Sequence, residues 1–270
     1  MRRASGFSLV ELAVVMTIVT ILLTATMYTL SAQTEQRNLS DTQRRLEDAR
    51  EILLSYAVLN GRLPCPASST SNGDEATTGV QGACTDGYTG FLPAKAIGYT
   101  PVDPSGYALD TWGNRIRYAV SINSNIGANP DYTFTTSGQI RANYSTSGSN
   151  LTPLDLLVCT LYGATGSSTA TTGPTCGTDG VAATNTSMVV AVVWSQGKNY
   201  NTASYASVSG QAGADEAFNN KVKTPANSVH GVFVFHSARA FTETNEFDDQ
   251  MVWIPVSVLF SRMIAAGQLP

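Results

Sequence analysis

The hydrophobic pattern of the chain begins with one long apolar run. From Phe7 to Leu30 every residue is uncharged except Glu11. An apolar run of this length predicts a single helix that crosses a bilayer once. A charged side chain in hydrocarbon costs about 2.5–3.5 kcal/mol, so we expect Glu11 to serve a function.

Past the apolar run, hydrophobic residues are spaced as on one face of a helix. Leu39, Leu46 and Leu53 recur every seven residues, with small or aromatic residues on the same stripe. This spacing predicts that the helix continues as an amphipathic helix. We expect it to end at Leu59, because the pair Asn-Gly follows directly.

Short apolar runs predict strands over the remainder of the chain. They cover 115–122, 132–136, 139–144, 154–162, 187–194, 231–235 and 250–255. The second and third of these flank Ser137-Gly138 and predict a β-hairpin, and 256–266 predicts a closing helix. Strands that follow one long helix favour an α+β fold, with a mostly antiparallel sheet packed on the amphipathic half of the helix.

The order of basic, small and apolar residues at the start of the chain differs from that of an ordinary secretory signal. Arg2, Arg3 and Gly6 all precede the run, whereas the small-residue cleavage site of a secretory signal follows it. Cleavage after Gly6 would therefore remove a short leader and leave the apolar helix on the mature chain. The alternative is a signal anchor that tolerates a glutamate near the membrane interface.

The segment Gly6-Phe7-Ser-Leu-Val-Glu11 resembles the class III signal of type IV pilins and type II secretion pseudopilins. The resemblance implies the type IV pilin fold, cleavage between Gly6 and Phe7 by a prepilin peptidase, and N-methylation of Phe7. It also implies that Glu11 pairs with the Phe7 ammonium of a neighbouring subunit. Such a pair would remove the cost of a lone carboxylate in an apolar bundle and would set the register between subunits.

The resemblance also divides the chain into four parts. Residues 1–6 form the leader, 7–30 the transmembrane and filament-core helix, 31–59 its amphipathic continuation, and 60–270 a periplasmic or extracellular domain. The two arginines of the leader place the amino end in the cytoplasm. We expect a single-pass precursor in the inner membrane of a Gram-negative bacterium, which an inner-membrane assembly platform moves into an extracellular filament.

Charge limits the partners that the chain can bind. Its formal net charge is −4, and loss of the two leader arginines would make it −6. The only basic cluster after the leader is the pair Arg44-Arg45, so we do not expect direct binding of nucleic acid. The expected partners are other pilins or pseudopilins, through the amino-terminal helix.

Four cysteines predict two disulfides in the part of the chain expected outside the cytoplasm. Three connectivities are open. We predict Cys65–Cys84 and Cys159–Cys176, because each pair brackets a loop rich in Gly, Ser and Thr. Closing a loop of this size contributes about 3 kcal/mol in the chain-entropy model. No CxxC spacing occurs, which disfavours a metal site at these cysteines.

Two further segments resemble the pattern of major pseudopilins. They are Asp110-x-Trp-Gly-Asn114, and Ser195-x-Gly197 after a valine-rich run. In that family, carboxylates in a later segment bind calcium. The segment that follows here departs from the family, because Asn-Tyr stands where the family has Asp-Gly and the loop is longer.

Oxygen-bearing side chains after this turn predict a calcium site. Asn199, Asp215, Glu216 and Asn219 could supply several of the six to eight oxygens that calcium needs. A hydrogen-bonded loop without metal is the alternative. Nearer the last strand, Asp248-Asp249 is interpreted as a pair of solvated turn acids, with a metal site or a partner contact as alternatives.

Three functions remain open. Residues 7–30 contain neither the proline nor the glycine that many major subunits carry there, which favours a minor type IV pilin that joins or primes a surface filament for adhesion, motility or DNA uptake. The pseudopilin-like segments favour a subunit of a type II secretion machine. The Ser/Thr/Gly-rich stretch 163–186 would suit a tip adhesin. Enzyme motifs are incomplete, so we do not expect an enzyme.

Overall fold

The computed structural model describes residues 8–80, 82–127, 131–162, 174–177, 179–198, 214–220, 231–237 and 247–270, without the side chains of residues 25–32, 214, 217 and 220. It contains five α-helices and seven strands within these ranges. The helices are α1 (Leu9–Asn60), α2 (Ala94–Ile97), α3 (Gln139–Ser147), α4 (Ala214–Asn220) and α5 (Val256–Ala265). The strands are β1 (Gly90–Phe91), β2 (Arg117–Val120), β3 (Leu156–Leu161), β4 (Val181–Ala182), β5 (Val189–Ser195), β6 (Gly231–Val234) and β7 (Gln250–Pro255).

The chain forms two compact units, and the boundary falls inside α1. Met1–Asp41 is the first unit and Thr42–Pro270 the second. The described part of the first unit is helical from Leu9 onward. The second unit contains the last turns of α1 and all the strands.

In the second unit, α1 packs into the core through the predicted stripe. Leu46, Ala49, Leu53 and Ala57 are fully buried and belong to the same apolar cluster as the valines of β5. The amphipathic interpretation is therefore confirmed for the part of α1 that lies in the second unit. Each leucine buried here contributes about 1.5–3 kcal/mol relative to an exposed one.

The main sheet has the strand order β1-β2-β5-β7, and every neighbouring pair is antiparallel. All seven residues of β5 are buried, as expected for a continuous apolar run at the centre of a sheet. A smaller sheet, β4-β3-β6, contains one parallel pair, β3 with β6. The predicted α+β fold, with a helix packed on a mostly antiparallel sheet, is confirmed.

The predicted hairpin around Ser137-Gly138 is wrong. Residues 132–136 form a turn, in which the amide of Thr136 donates to the carbonyl of Tyr132 at 2.9 Å. Residues 139–147 form α3. The apolar positions Ile140 and Tyr144 fit both a strand and a helix. The helix places Tyr144 against Phe260 of α5, with ring centroids 5.0 Å apart, so tertiary packing decides the outcome.

Both predicted disulfides are present. Cys65 pairs with Cys84 and Cys159 with Cys176. The first also lies beside a half-buried ion pair, in which Glu75 accepts hydrogen bonds from Arg62 and from the amide of Cys65. Burial opposes ionisation of Glu75, but these hydrogen bonds hold its pKa below the ordinary value. The first disulfide loop is thus attached to the segment that follows α1 by a charge-assisted contact as well as by a covalent bond.

A fully buried aspartate joins three parts of the second unit. Asp155 accepts hydrogen bonds from the hydroxyls of Tyr88 and Ser121 and from the amides of Ile122 and Asn123. Burial raises the pKa of Asp155 to about 6, although these donors favour the charged form. The carboxylate therefore connects three segments: the residue before β3, the residues that follow β2, and Tyr88 before β1.

We expect Asp155→Asn to lower the free energy of unfolding by about 2–4 kcal/mol. An amide nitrogen would face donors that now meet an oxygen, and a buried donor without an acceptor is costly. Urea unfolding of the full chain in mild detergent measures the loss. Asp74→Asn is the control, since Asp74 forms an exposed ion pair with Lys95 and should contribute at most about 1 kcal/mol. Equal stability of the two variants would contradict the role given to Asp155.

Candidate functional site: the amino-terminal helix and an acidic cluster

The residues predicted to be processed precede the described part of the chain. Gly6 and Phe7 are outside the described residues, so their predicted roles rest on the sequence. Glu11 lies in the first turn of α1 and is exposed. One of its carboxylate oxygens accepts a hydrogen bond from the backbone amide of Ser8 at 3.4 Å.

The first turns of α1 expose apolar side chains on every face. Leu9 is 86% exposed and Ile21 is 64% exposed. Nine others are also exposed: Val10, Leu12, Val14, Val15, Met16, Ile18, Val19, Leu22 and Leu23. An apolar surface of this extent in the described first unit requires a covering, from lipid or from other protein.

Three threonine hydroxyls in the described part of this run are satisfied by the helix itself. The hydroxyls of Thr17, Thr20 and Thr24 each donate to the carbonyl four residues earlier, at 2.8–3.0 Å. Their polar atoms therefore need no external partner, and the segment keeps an apolar exterior.

No helix within the described ranges has both the length and the apolar character needed to cross a bilayer. The predicted span 7–30 includes Phe7 and the side chains of residues 25–30, which lie outside the described part.

The two pseudopilin-like segments meet in the second unit. The carboxylate of Asp110 accepts hydrogen bonds from the hydroxyl of Ser195 at 2.7 Å and from the amide of Asn114 at 2.8 Å. The side-chain amide of Asn114 donates to the carbonyl of Gly197 at 2.6 Å. Burial raises the pKa of Asp110, and its hydrogen bonds oppose this rise. These residues connect the turn before β2 to the turn after β5.

The turn after β5 approaches a third segment closely at Gly197. This glycine has φ of +66°, and a Cβ there would lie 1.9 Å from a carboxylate oxygen of Asp248. The amide of Lys198 donates to the same carboxylate at 2.9 Å. Only glycine permits this approach, which brings Asp248 beside the turn.

The predicted calcium ligands do not assemble as a set in the described residues. Asn199 lies outside them. Asp215 contacts the ring nitrogen of His236 at 3.1 Å. The side chain of Asn219 donates to the carbonyl of Val234 and accepts from its amide, each at 2.8 Å, so its oxygen already serves the backbone of β6.

Glu216 is the predicted ligand that joins a group of carboxylates. Oxygens of Glu216, Asp248 and Asp249 all lie within 4.8 Å of one another, and we call these three residues the acidic cluster. Glu216 and Asp249 are each 3% exposed. The interpretation of Asp248-Asp249 as solvated turn acids is therefore wrong for Asp249. Asn219 binds the cluster from one side, by donating to Asp249 at 2.8 Å.

The surroundings of Glu216 favour its protonated form at neutral pH. Burial, followed by the charge of Asp249, raises the pKa of Glu216 to about 9. A calcium ion could bind there only by displacing this proton, since calcium takes ionised carboxylates. Calcium binding remains a prediction.

The free energy of unfolding should fall as pH rises over the range in which Glu216 is protonated in the folded chain but ionised in the unfolded chain. That window runs from about 4.5, the ordinary value, to about 9. One proton gives a slope of at most about 1.4 kcal/mol per pH unit. Glu216→Gln should remove this slope, and should exceed the native chain in stability most at pH 9.

Urea unfolding at pH 5, 7 and 9 in EDTA measures this difference. Glu51→Gln serves as the control, because Glu51 forms an exposed ion pair with Arg262 and should leave the slope unchanged. A native slope that persists in Glu216→Gln would exclude Glu216 as its source. Repeating the series with calcium tests the metal prediction. If calcium binds, it should raise the free energy of unfolding of the native chain but not that of Glu216→Gln.

Comparison with known proteins identifies the amino terminus. Residues 1–27 match the prokaryotic N-terminal methylation motif. No curated protein and no solved structure matches the chain. The motif is the class III signal of type IV pilins and pseudopilins, so the resemblance drawn from Gly6, Phe7 and Glu11 is confirmed. The amino terminus thus carries the type of signal found in type IV pilins and pseudopilins.

Proposed function

We propose that this protein is a minor type IV pilin-like subunit. It is cleaved between Gly6 and Phe7, N-methylated at Phe7, and assembled into a helical surface filament or used to prime one. The observation that carries the proposal is the methylation motif over residues 1–27. The motif indicates a structural subunit that a prepilin peptidase processes and that assembles with other pilins.

The exposed apolar turns of α1 support assembly through the helix. Side chains such as Leu9 and Ile21 face outward on all sides in the first unit, and burial of such surface is the main driving force for association. In the precursor we propose that lipid of the inner membrane covers them, and in the filament the helices of other subunits. Such packing is head-to-tail, so it continues into a helical filament.

A pseudopilin of a type II secretion machine is the second candidate. The two segments that resemble major pseudopilins contact each other in the structure, through Asp110 and Asn114 on one side and the turn Ser195–Gly197 on the other. These contacts favour the pseudopilin. The lack of proline and glycine in residues 7–30 favours the minor pilin. Half of the stretch 163–186, on which a tip adhesin was predicted, lies outside the described residues, namely 163–173 and 178.

Intact mass of the protein from two fractions of its native cell tests the proposal. One fraction is filament sheared from the surface and the other is inner membrane. A chain that starts at methylated Phe7 in the sheared fraction supports a surface filament. The same chain confined to the membrane favours the pseudopilin. A precursor mass in both fractions would contradict the processing itself.

A further inference from the structure

The first turn of α1 is closed by two reciprocal hydrogen bonds. The carbonyl of Ser8 accepts the first helical hydrogen bond, from the amide of Leu12 at 3.2 Å, which makes Ser8 the N-cap. The hydroxyl of Ser8 accepts from the amide of Glu11 at 3.2 Å. In return, the carboxylate of Glu11 accepts from the amide of Ser8 at 3.4 Å. This is the capping-box arrangement, with Ser8 at the N-cap and Glu11 three residues later.

The capping box matters more here than at an ordinary helix start. The first four amides of a helix have no partner within it. In water they bind solvent, but in a lipid or protein interior an unpaired amide costs several kcal/mol. Ser8 and Glu11 satisfy two donors of the first turn with their own side chains. The chain can therefore bury this end without solvent at these positions.

We propose that Ser8 is the positioning residue of Glu11. The capping box holds the carboxylate over the amino-terminal end of its own helix, where the helix dipole favours negative charge. A carboxylate has two oxygens, so one can keep the amide of Ser8 while the other accepts an incoming ammonium. Before assembly, the Glu11 carboxylate is thus already oriented toward the amino-terminal end of its helix, where we propose that the Phe7 ammonium of a neighbouring subunit approaches it. The assembly part of this inference depends on the proposed function.

Amide exchange tests the capping box without any filament. The full precursor, uniformly labelled with ¹⁵N and held in detergent, reports the exchange rate of the backbone amide of residue 11. Loss of a cap costs about 1 kcal/mol, so Ser8→Ala should speed this exchange roughly fivefold. Ser8→Thr keeps a capping hydroxyl and should restore protection. Thr17→Ala is the matched control, because it removes a hydroxyl of the same helix that bonds only to a carbonyl of the preceding turn.

Charge and cap can be separated by a second substitution. Glutamine also completes a capping box, so Glu11→Gln should keep its amide protected while losing the charge. Ser8→Ala in the Glu11→Gln background should speed exchange as much as it does alone. Unchanged exchange in Ser8→Ala, with or without that substitution, would overturn the inference.

Assembly gives the functional readout. Ser8→Ala should be processed normally but recovered in sheared filament about fivefold less than the native chain, and Ser8→Thr should restore recovery. Native recovery of Ser8→Ala would overturn the positioning role while leaving the proposed function intact. Failure of the proposed function is recognised separately, by absence of the native chain itself from sheared filament.

Discussion

Glu11→Ala should be cleaved after Gly6 as efficiently as the native chain and should then be nearly absent from sheared filament. The cleavage site precedes Glu11 by five residues and does not need its charge. Assembly does, because the substitution leaves the Phe7 ammonium of the neighbour without its counter-charge in an apolar bundle. Removing one partner of a buried ion pair costs about 3–5 kcal/mol, which corresponds to a loss of at least a hundredfold.

Intact mass and immunoblotting of the membrane and sheared fractions measure both steps of this prediction. Glu35→Ala is the matched control, since it removes a carboxylate from the same helix beyond the apolar run and should assemble within about twofold of the native chain. Incorporation of Glu11→Ala at the native level would refute the pairing. A simultaneous loss of cleavage would mean that Glu11 contributes to recognition by the peptidase.

Gly6→Leu should leave the protein at its precursor mass. The peptidase must bring the carbonyl of residue 6 to its reacting groups, and a small residue at a signal cleavage site is what allows this approach. A branched side chain there clashes in the transition state, and each 1.4 kcal/mol of clash slows cleavage about tenfold. The unprocessed chain also lacks the ammonium at Phe7, so it should not enter filament.

Ala4→Leu controls for bulk within the leader, since the same side chain stands two residues before the cleavage site. We expect it to be processed at close to the native rate. A mature-length protein from Gly6→Leu, confirmed by amino-terminal sequencing, would reject the cleavage site. Slow processing of both variants would instead indicate that the whole leader is read by the peptidase.

Local patterns were sufficient for much of the fold. The leucine stripe of α1 agrees with the helical period, and the valine run of β5 is a continuous apolar run typical of a buried strand. Packing confirmed both. The capping box could also have been found, since serine three residues before glutamate at the start of an apolar run is its usual signature.

Short or ambiguous segments could not be assigned in this way. Residues 139–147 carry apolar positions that suit a strand or a helix, and the contact of Tyr144 with Phe260 favours the helix. The acidic cluster is a stronger case, because Glu216 lies more than thirty residues from Asp248 along the chain. No periodicity relates two such positions, and only the path of the chain brings them together.

The sequence by itself determined features that depend on neighbouring residues: the processing signal, the apolar helix with its carboxylate, three of the four strands of the main sheet and the two disulfide-closed loops. The tertiary structure alone decided which side chains share a site. In the folded chain Asp215 contacts His236, the side chain of Asn219 bonds to the backbone of β6, and Asp249 is buried beside Glu216. Local features follow from the period of the backbone and the chemistry of adjacent side chains, whereas burial and proximity follow from how distant segments pack.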